Sequence, residues 1–591
     1  MFLRCNRRLK DGKRHDYWNV VENRRLADGR VVQRQVLYLG EINASQREAW
    51  RKTIEVHDEG TRRQVALFPA GSMPHDDARA VGIRLDELRL ERPRQWGACW
   101  LSCVLWQQLD LDAFWGTRLP ASREGTPWRQ VLQTLVTYRL IDPGSEWRLH
   151  RHWFDASAMG DLLNVDFAVA EKNTLYRCLD KLVAHKDDLF KFLCRRWGEL
   201  FGAKFDVLLY DLTSTYFESD VERGEQDKRQ YGYSRDKRSD CRQVVIGLIV
   251  TPEGFPLSYE VLAGNTADST TLSDFLQRIE QRYGKANRIW VMDRGVPTED
   301  SLAQMRRMGA SYLVGTPKGR LTKLEQGFLA QPWQRVRDGV DVKRLEGDED
   351  TYVLAQSAAR IGKERGMRRR RLRRYVSRLQ ALQAQALTRD QLLMKLGAAK
   401  HEAGRAANLI ELSVPKAGTA ITSFSFQLNR DKLKQLRRRE GRYLLRTNLD
   451  MYDPDRLWTF YVQLTEVEQA FKELKHDLAV RPIYHSSEPR IEAHIFVAFL
   501  AYCLQVTLKA QLRRVAHGIT PHEVITKFKT MQMVDVHLPT TDGREIVLSR
   551  HTQPEADHRM LLDLLHLKLP EQPPPKITAK QGRATVESMP A

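Results

Sequence analysis

The chain has 591 residues, 42% of them hydrophobic, with 95 Lys and Arg against 75 Asp and Glu, a formal charge of +20 and a pI near 9.6. That length suggests several domains rather than one core, and that apolar content excludes a wholly disordered or fibrous chain. The cation excess fits a solubility charge or a polyanion partner; Lys and Arg release counterions when they meet phosphates, which favours nucleic acid.

Residues 1–60 read as a small basic β-rich module. In YWNVVENRRLADGRVVQRQVLYLG, two strand-like runs flank a turn signal, Ala27-Asp28-Gly29. The module suits a solvated sheet or a DNA-contacting arm. Residues 90–200 read as helical and are expected to bind DNA ends. In TPWRQVLQTLVTYRLID, Thr126 is the cap, Pro127 opens the helix, and Trp128, Val131, Leu132, Leu135 and Val136 form an apolar stripe. NTLYRCLDKLVAHKDDLFKFLCRRW (173–197) has the same kind of period. A helix-turn-helix reader is one possibility; helical period alone does not mark a recognition helix, which favours a plain bundle.

From 205 to 318 the pattern becomes mixed α/β. FDVLLYD is a strand that ends on Asp211. VVIGLIV and PLSYEVLAG form a hairpin about Pro252-Glu253-Gly254. DSTTLSDFLQRIEQRYG is an amphipathic helix with Asp268 as its cap. RIWVMDRG is a second apolar strand ending on an acid, TEDSLAQMRRMGA a helix and SYLVGTPKG a strand. The first three strands make a meander. Residues 319–446 break this rhythm. Strand-like DTYVLAQS and GRYLLRTN flank the basic RIGKERGMRRRRLRRYVSRLQALQAQAL, which is helical in propensity. A charge run is usually a solvated face; this density of Arg suits a phosphate-contacting helix equally well.

Residues 447–520 hold the next helices. In MYDPDRLWTFYVQLTEVEQAFKELKHDLAVRP, Asp453 is an N-cap, Pro454 fits the first turn and Pro482 stops the pattern. IFVAFLAYCLQVTL (495–508) is short for a bilayer and contains Gln505, so it reads as a buried core helix and no membrane partner is expected. Residues 521–569 are expected to be helical, and the Pro-rich 570–591 disordered. The cysteines Cys5, Cys99, Cys103, Cys178, Cys194, Cys241 and Cys503 are scattered with no CxxC pair, and MFLRCNRRLK has no signal-peptide apolar region. Both features fit a reducing cytoplasm and speak against a zinc ribbon.

Asp211 and Asp293 each end an apolar strand, where burying an unpaired carboxylate would be costly. In open α/β sheets, sites gather at strand ends. Neighbouring carboxylates repel unless cations hold them. Hard divalent cations take oxygen ligands, and two of them about 4 Å apart can serve phosphoryl transfer. A third carboxylate would complete such a site. The helix from Pro454 has an apolar stripe of Phe460, Leu464, Val467, Phe471, Leu474 and Leu478, which should pack on the sheet. Glu468 lies about 100° around from Val467, at the stripe's edge. In a continuous helix Tyr461 and Lys475, two turns before and after, share its face, while Glu466 and Glu473 point elsewhere. Taken alone, this is equally an ordinary amphipathic helix with a salt-bridged surface.

These residues together resemble the DDE transposases of bacterial insertion sequences, in the branch with an insertion inside the ribonuclease-H-like fold. Its signature is Tyr, two residues, Arg, three residues, Glu, six residues, Lys. YVQLTEVEQAFKELK supplies Tyr461, Glu468 and Lys475 at those spacings, with Leu464 in place of the Arg. YDLTSTYFE, VMDRG and GFPLSYEVLAGNTADSTTL resemble the family's Asp blocks and the sequence between them. The resemblance spans about 205–510. It implies an α/β ribonuclease-H-like mixed sheet, interrupted by an inserted domain between Asp293 and Glu468 and preceded by a mainly helical region. Asp211, Asp293 and Glu468 would be the catalytic, metal-binding triad for two Mg²⁺ ions, with Mn²⁺ able to substitute. Tyr461, Lys475, Arg294 and Lys472 are the DNA-binding candidates. Trp333 is a candidate for stacking on a flipped base, as in relatives that pass through a hairpin, with a core Trp the alternative. The implied activity is cleavage at element ends and strand transfer into target DNA, by a homodimer in a synaptic complex, in the cytoplasm of a bacterium at the nucleoid. A ribonuclease-H-like nuclease or resolvase without strand transfer, or an inactive DNA-binding relative, are the competing possibilities. Lys475 would contact a phosphate; its other role is a surface ion pair with Glu473 or Asp477, and its removal should barely change folding.

Overall fold

In the computed structural model the chain forms two units, Leu179–Ala510 and the paired segments Met1–Cys178 and Gln511–Ala591. The structure describes residues 2–10, 13–25, 31–41, 54–58, 63–66 and 81–579, apart from 219–226, 237, 268–270, 285–286, 317–323, 325, 386, 415–423, 450–452 and 542.

The unit Leu179–Ala510 opens with a helix, Lys186–Phe201 (α1), and is built on a nine-stranded sheet. Val207–Tyr216 (β1), Gln243–Val250 (β2) and Pro256–Ala263 (β3) form the meander. The β2–β3 turn closes through the Thr251 N–H on the Phe255 carbonyl at 2.9 Å. Gly254 sits there at φ 96°, a conformation costly for other residues. Leu272–Tyr283 (α2) leads to Ile289–Met292 (β4), and Glu299–Met308 (α3) to Ser311–Thr316 (β5). Thr271 occupies the N-cap position of α2. The expected cap, Asp268, lies outside the described residues. Thr298 and Ser301 form a reciprocal capping box on α3.

The strand order is β3-β2-β1-β4-β5. Strands β1, β4 and β5 run parallel, and β2 is antiparallel to both its neighbours. This is the ribonuclease-H-like arrangement. Tyr210, Leu212, Phe275, Trp290, Met292, Leu302 and Tyr312 share one core between the sheet and the two crossover helices. Gly247 on β2 makes room for it, since a Cβ there would lie 2.6 Å from Phe275 Cζ.

The inserted segment is part of this sheet rather than a separate body. Gln334–Arg337 (β6), Val340–Glu346 (β7), Thr351–Ser357 (β8) and a later strand, Arg442–Thr447, continue it beyond β5. Between β8 and that strand stands a lobe: Ala358–Gln383 (α4), Arg389–Ala403 (α5), the hairpin Ile410–Ser413 (β9) and Ser425–Leu428 (β10), and Arg430–Arg439 (α6). Tyr375, Leu379, Leu392, Leu396 and Phe424 give the lobe its own core. Arg442–Thr447 (β11) pairs antiparallel with both β5 and β8. The segment expected as an inserted domain over 319–446 therefore covers the edge of β5, whose backbone groups would otherwise be an open template. Periodicity reveals strands but not their partners.

The expected single helix from Pro454 is two, Pro454–Val462 (α7) and Leu464–Lys472 (α8), followed by a π-helical turn, Glu473–Asp477. Glu488–Val515 (α9) has the length and apolarity to cross a membrane, and 94% of its most apolar window is buried inside the protein.

In the other unit, Phe2–Lys10, Lys13–Arg25 and Val31–Glu41 form a three-stranded antiparallel sheet; the Ala27–Gly29 turn lies outside the described residues. Several expectations differ here. Pro127 is the N-cap of the helix Trp128–Ile141 rather than its first residue. The 173–197 stretch splits into Lys172–Leu179 and α1, and the boundary between the units falls in the last turn of the first, after Cys178. The 521–569 region is half β: Gln532–Pro539 and Arg544–His551 pair with each other, and the first pairs with Arg89–Gln95. Lys576–Ala579, within the segment expected to be disordered, adds a fourth strand. A pairing partner more than 400 positions away is invisible to a local pattern. The join is reinforced by Arg94, 1% exposed, which donates to both Asp535 oxygens at 2.8 and 2.9 Å.

One polar node fastens the inserted strands to the rest of the sheet. Asp350, 4% exposed and just before β8, accepts from Arg306 of α3, Tyr312 of β5 and Arg446 of β11. Arg446 also donates to Glu299 at 2.7 Å. Asp350→Ala would leave the buried Arg446 guanidinium underpaired and is expected to cost about 3–5 kcal/mol. Chemical denaturation of wild type and variant measures the loss.

Candidate active site

Strands β1 and β4 are paired in parallel up to Tyr210 opposite Met292. Asp211 and Asp293 are the next residue on each. Neighbouring strands lie about 4.8 Å apart, so register alone sets these two acids side by side. Contrary to expectation, β1 does not end on Asp211. It stays paired with β2 from Leu209 opposite Val250 to Tyr216 opposite Gln243. The sheet opens on the β4 side only, which makes a cleft at the carboxyl ends of parallel strands. Tyr210 and Leu212 point into the crossover-helix core, so Asp211, between them, faces the opposite side of the sheet.

Helix α8 packs on that side, against β1 and β2. Leu464, Val467, Ala470 and Phe471 are its buried face, and Glu468 is exposed at its edge. Asp211, Asp293 and Glu468 line one cavity of about 640 Å³. Burial, and then the charges of Asp293 and Glu468, push the Asp211 carboxyl up to about 7, against the pull of a Leu212 N–H and the Arg235 charge. Asp211, Asp293 and Glu468 in one cavity, the first of them costly to ionise alone, are a donor set suited to a hard divalent cation.

Tyr461 lines the same cavity and donates its hydroxyl to Asp293 Oδ1 at 3.3 Å. Burial, then the Asp293 charge, raises the Tyr461 phenol well above its ordinary value, so it remains a donor. Gly315 on β5 permits this approach. A Cβ there would lie 2.8 Å from the Tyr461 hydroxyl and 3.2 Å from Asp293 Oδ1. Arg294 lines the cavity too. The far wall comes from the inserted segment and was not singled out from sequence: Arg337, Arg360, Arg405 and Arg442. The segment's basic composition was visible, but not the sheet pairing that carries it to the acids.

The π turn at 473–477 puts Lys475 out of phase with Glu468, and the break at Gln463 separates Tyr461 from their helix. Lys475 does not line the cavity. It is 10% exposed and paired with Asp236 at 3.0 Å, where Arg481 also binds. Burial holds its ammonium below the ordinary value against the pull of Asp236. The expectation that Lys475 shares the face of Glu468 is corrected accordingly, and its ion pair is with Asp236 rather than with Glu473 or Asp477. Glu466 and Glu473 point away from the cavity toward Lys509 of α9, at 3.0 and 3.8 Å. Lys472 is exposed on α8. Trp333 is not a core residue: it is 40% exposed, with Lys343 Nζ 4.9 Å and Arg442 Cζ 5.8 Å from its ring centre.

A family model described as "Transposase DDE domain" matches residues 204–504. The chain belongs to the DDE transposase family. No curated protein matches it. Among solved structures, a piggyBac transposase synaptic complex with hairpin DNA is similar at 9% identity and a TM-score of 0.34, over 75% of this chain and 82% of that one. The protein is thus a DNA transposase of α/β fold, and DDE transposases use divalent metal ions.

The raised Asp211 value has a consequence for the metal-free transposase. The folded state keeps the Asp211 proton up to about pH 7, whereas an unfolded Asp releases it near pH 3.9. Stability therefore falls as pH rises through that window. The melting-temperature gain of Asp211→Asn over wild type, measured in EDTA, is expected to grow from pH 4 to pH 8. Added divalent cation should stabilise wild type at pH 8 and not the variant. Lys475→Ala removes one of two buried cations on Asp236 and is expected to cost about 1.5–3 kcal/mol, read by thermal melting.

Proposed function

We propose that this transposase cuts DNA at the ends of its own element and joins the freed 3′-hydroxyl to target DNA, with Asp211, Asp293 and Glu468 as the reacting centre. The observation that carries this reading is the register of β1 and β4, which sets two acids side by side in a cavity shared with Glu468, Glu364 and five arginines. The three carboxylates would hold two Mg²⁺ ions, or Mn²⁺ in their place. When bound, such ions supply activation of the attacking oxygen and neutralisation of the leaving one. Tyr461 fixes the orientation of Asp293 through its hydroxyl. Arg294 and the wall arginines bind the phosphates on either side of the scissile bond, where planar guanidinium groups engage two oxygens at once. Water reaching the phosphodiester releases the 3′-hydroxyl, and that hydroxyl, held in the same cavity, attacks the target strand.

Double-stranded DNA is the substrate twice over, as element end and as target. A homodimer pairing two ends, acting at the bacterial nucleoid, is the assembly that goes with this reading. Lys475 reaches a phosphate in it only after exchanging Asp236 for DNA. The half-exposed Trp333, beside Arg442 of the cavity wall, would stack on an unpaired base in this reading.

The test uses purified protein, a linear duplex carrying the DNA that flanks its coding sequence, and a plasmid target. Wild type is expected to nick and join in Mg²⁺. Asp211→Asn and Glu468→Gln are expected to lower cleavage by on the order of 10³-fold or more while leaving DNA affinity nearly intact. Cutting without joining would assign the protein to nucleases. Loss of affinity in step with cleavage would make the acids structural.

A further inference from the structure

Helix α4 begins inside the candidate active site and leaves it carrying a row of unpaired cations. Ser357 caps the helix by accepting from the Arg360 N–H, and both residues line the cavity. Arg360 is steadied by Glu364 one turn on, Nε to Oε1 at 3.1 Å, and Glu364 in turn accepts from the Gly441 N–H at 2.9 Å. Tyr375, Leu379 and Leu382 are the buried face of the helix. Arg369, Arg370, Arg373 and Arg374 are exposed on the other side, and among the described residues none of these four has a carboxylate partner. By contrast Arg365 and Arg368 pair with Glu440, and Arg378 with Glu402.

Arg369 and Arg373, and likewise Arg370 and Arg374, are four residues apart. Like charges at that spacing destabilise a helix by a few tenths of a kcal/mol per pair, about 0.2–0.5. Helix α6 adds to the same charge. It has no buried residue and carries Arg430, Lys432, Lys434, Arg437, Arg438 and Arg439, all exposed. The two helices are electrostatic neighbours: burial first, and then the charges of Arg437, Arg365 and Arg369, hold the Arg368 guanidinium below its ordinary value. The crowding of Arg369, Arg370, Arg373 and Arg374, without a carboxylate partner among the described residues, is accounted for by a polyanion that lies across them.

We infer that the exposed arginine face of α4, with α6 beside it, is a docking surface for the duplex DNA that runs out of the catalytic cavity. The inference rests on the reading of that cavity as the cleavage site. From Arg360 to Arg374 the helix rises about 21 Å, which matches about six base pairs of duplex at 3.4 Å each. The face offers guanidinium groups on one continuous element with its origin at the acids, and no exposed apolar side chain among the four arginines to read a protein partner. Its bonds go to phosphates, so it adds affinity and direction to the DNA path and no base specificity.

The experiment measures affinity for a random-sequence duplex of about 30 base pairs across about 50–200 mM salt. It compares wild type with a variant carrying Arg369→Gln, Arg370→Gln, Arg373→Gln and Arg374→Gln. A control of equal charge carries Lys191→Gln, Arg195→Gln, Lys204→Gln and Arg307→Gln, all at exposed positions. The α4 variant is expected to flatten the slope of log affinity against log salt by about 2–4, close to one unit for each phosphate no longer neutralised, and to bind at least tenfold more weakly at the low-salt end. Its melting temperature should match or exceed that of wild type, because like-charge repulsion is removed. Lys at the same four positions should retain most of the slope. An unchanged slope in the α4 variant, an equal loss in the control, or a loss in the Lys variant as large as in the Gln variant would each overturn the surface. Metal-dependent cleavage is read separately on wild type. Changed slopes without cleavage would sink the catalytic reading and leave the surface standing, and cleavage with unchanged slopes would do the reverse.

Discussion

The parallel register between β1 and β4 is the constraint on which the site depends. It ends at Tyr210 opposite Met292, while β1 continues alongside β2 for six more residues. Two acids that would repel each other in an unfolded chain are thereby held at neighbouring strand ends by backbone hydrogen bonds laid down below them. The sheet core of Tyr210, Trp290, Met292 and Tyr312 fixes that register because a slip by one residue would turn each of these side chains to the other face. The carboxylates do not contribute to folding. Their mutual charge and the burial of Asp211 oppose it, a cost that a bound cation would relieve.

The inserted segment completes what the register begins. It is anchored to the sheet by β11, which lies between β5 and β8, and by the buried Asp350 node. Because it is fastened on both counts, its arginines stand at a set distance from the acids. The cavity has an acidic floor from the ribonuclease-H-like strands and a basic wall from the insertion. A phosphodiester fits such a site in both charge senses, with carboxylates suited to a divalent cation on one side and guanidinium groups on the other. The signature position occupied here by buried Leu464 contributes no cation of its own; those at this cavity are drawn from Arg294 and from the insertion.

The helix that carries Glu468 shows how a small backbone departure redistributes roles. An unbroken α-helix would align Tyr461, Glu468 and Lys475. The interruption at Gln463 and the π turn after Lys472 instead keep Tyr461 on Asp293, leave Glu468 at the cavity edge and send Lys475 to Asp236. Glu466 and Glu473, two turns apart, are free to bind Lys509 and so tie α8 to the apolar α9.

Much of this was legible along the chain. Apolar runs ending on Asp211 and Asp293, the stripe that marks Glu468, and the spacing of Tyr461 and Lys475 are local patterns, and local patterns are what strand alternation and helical period encode. They determined the fold class and the identity of the three acids. Partners distant in sequence were not legible. That β11 joins β5, that Gln532–Pro539 joins Arg89–Gln95, that Lys475 meets Asp236, and that the insertion's arginines face the acids are facts of pairing between residues tens to hundreds of positions apart. Hydrophobic period records which face of an element is buried and not what it is buried against. The sequence by itself therefore determined which residues are the candidates for the chemistry. Only the tertiary structure decided which cations attend them, because that depends on which strand edges and helix faces find each other in three dimensions.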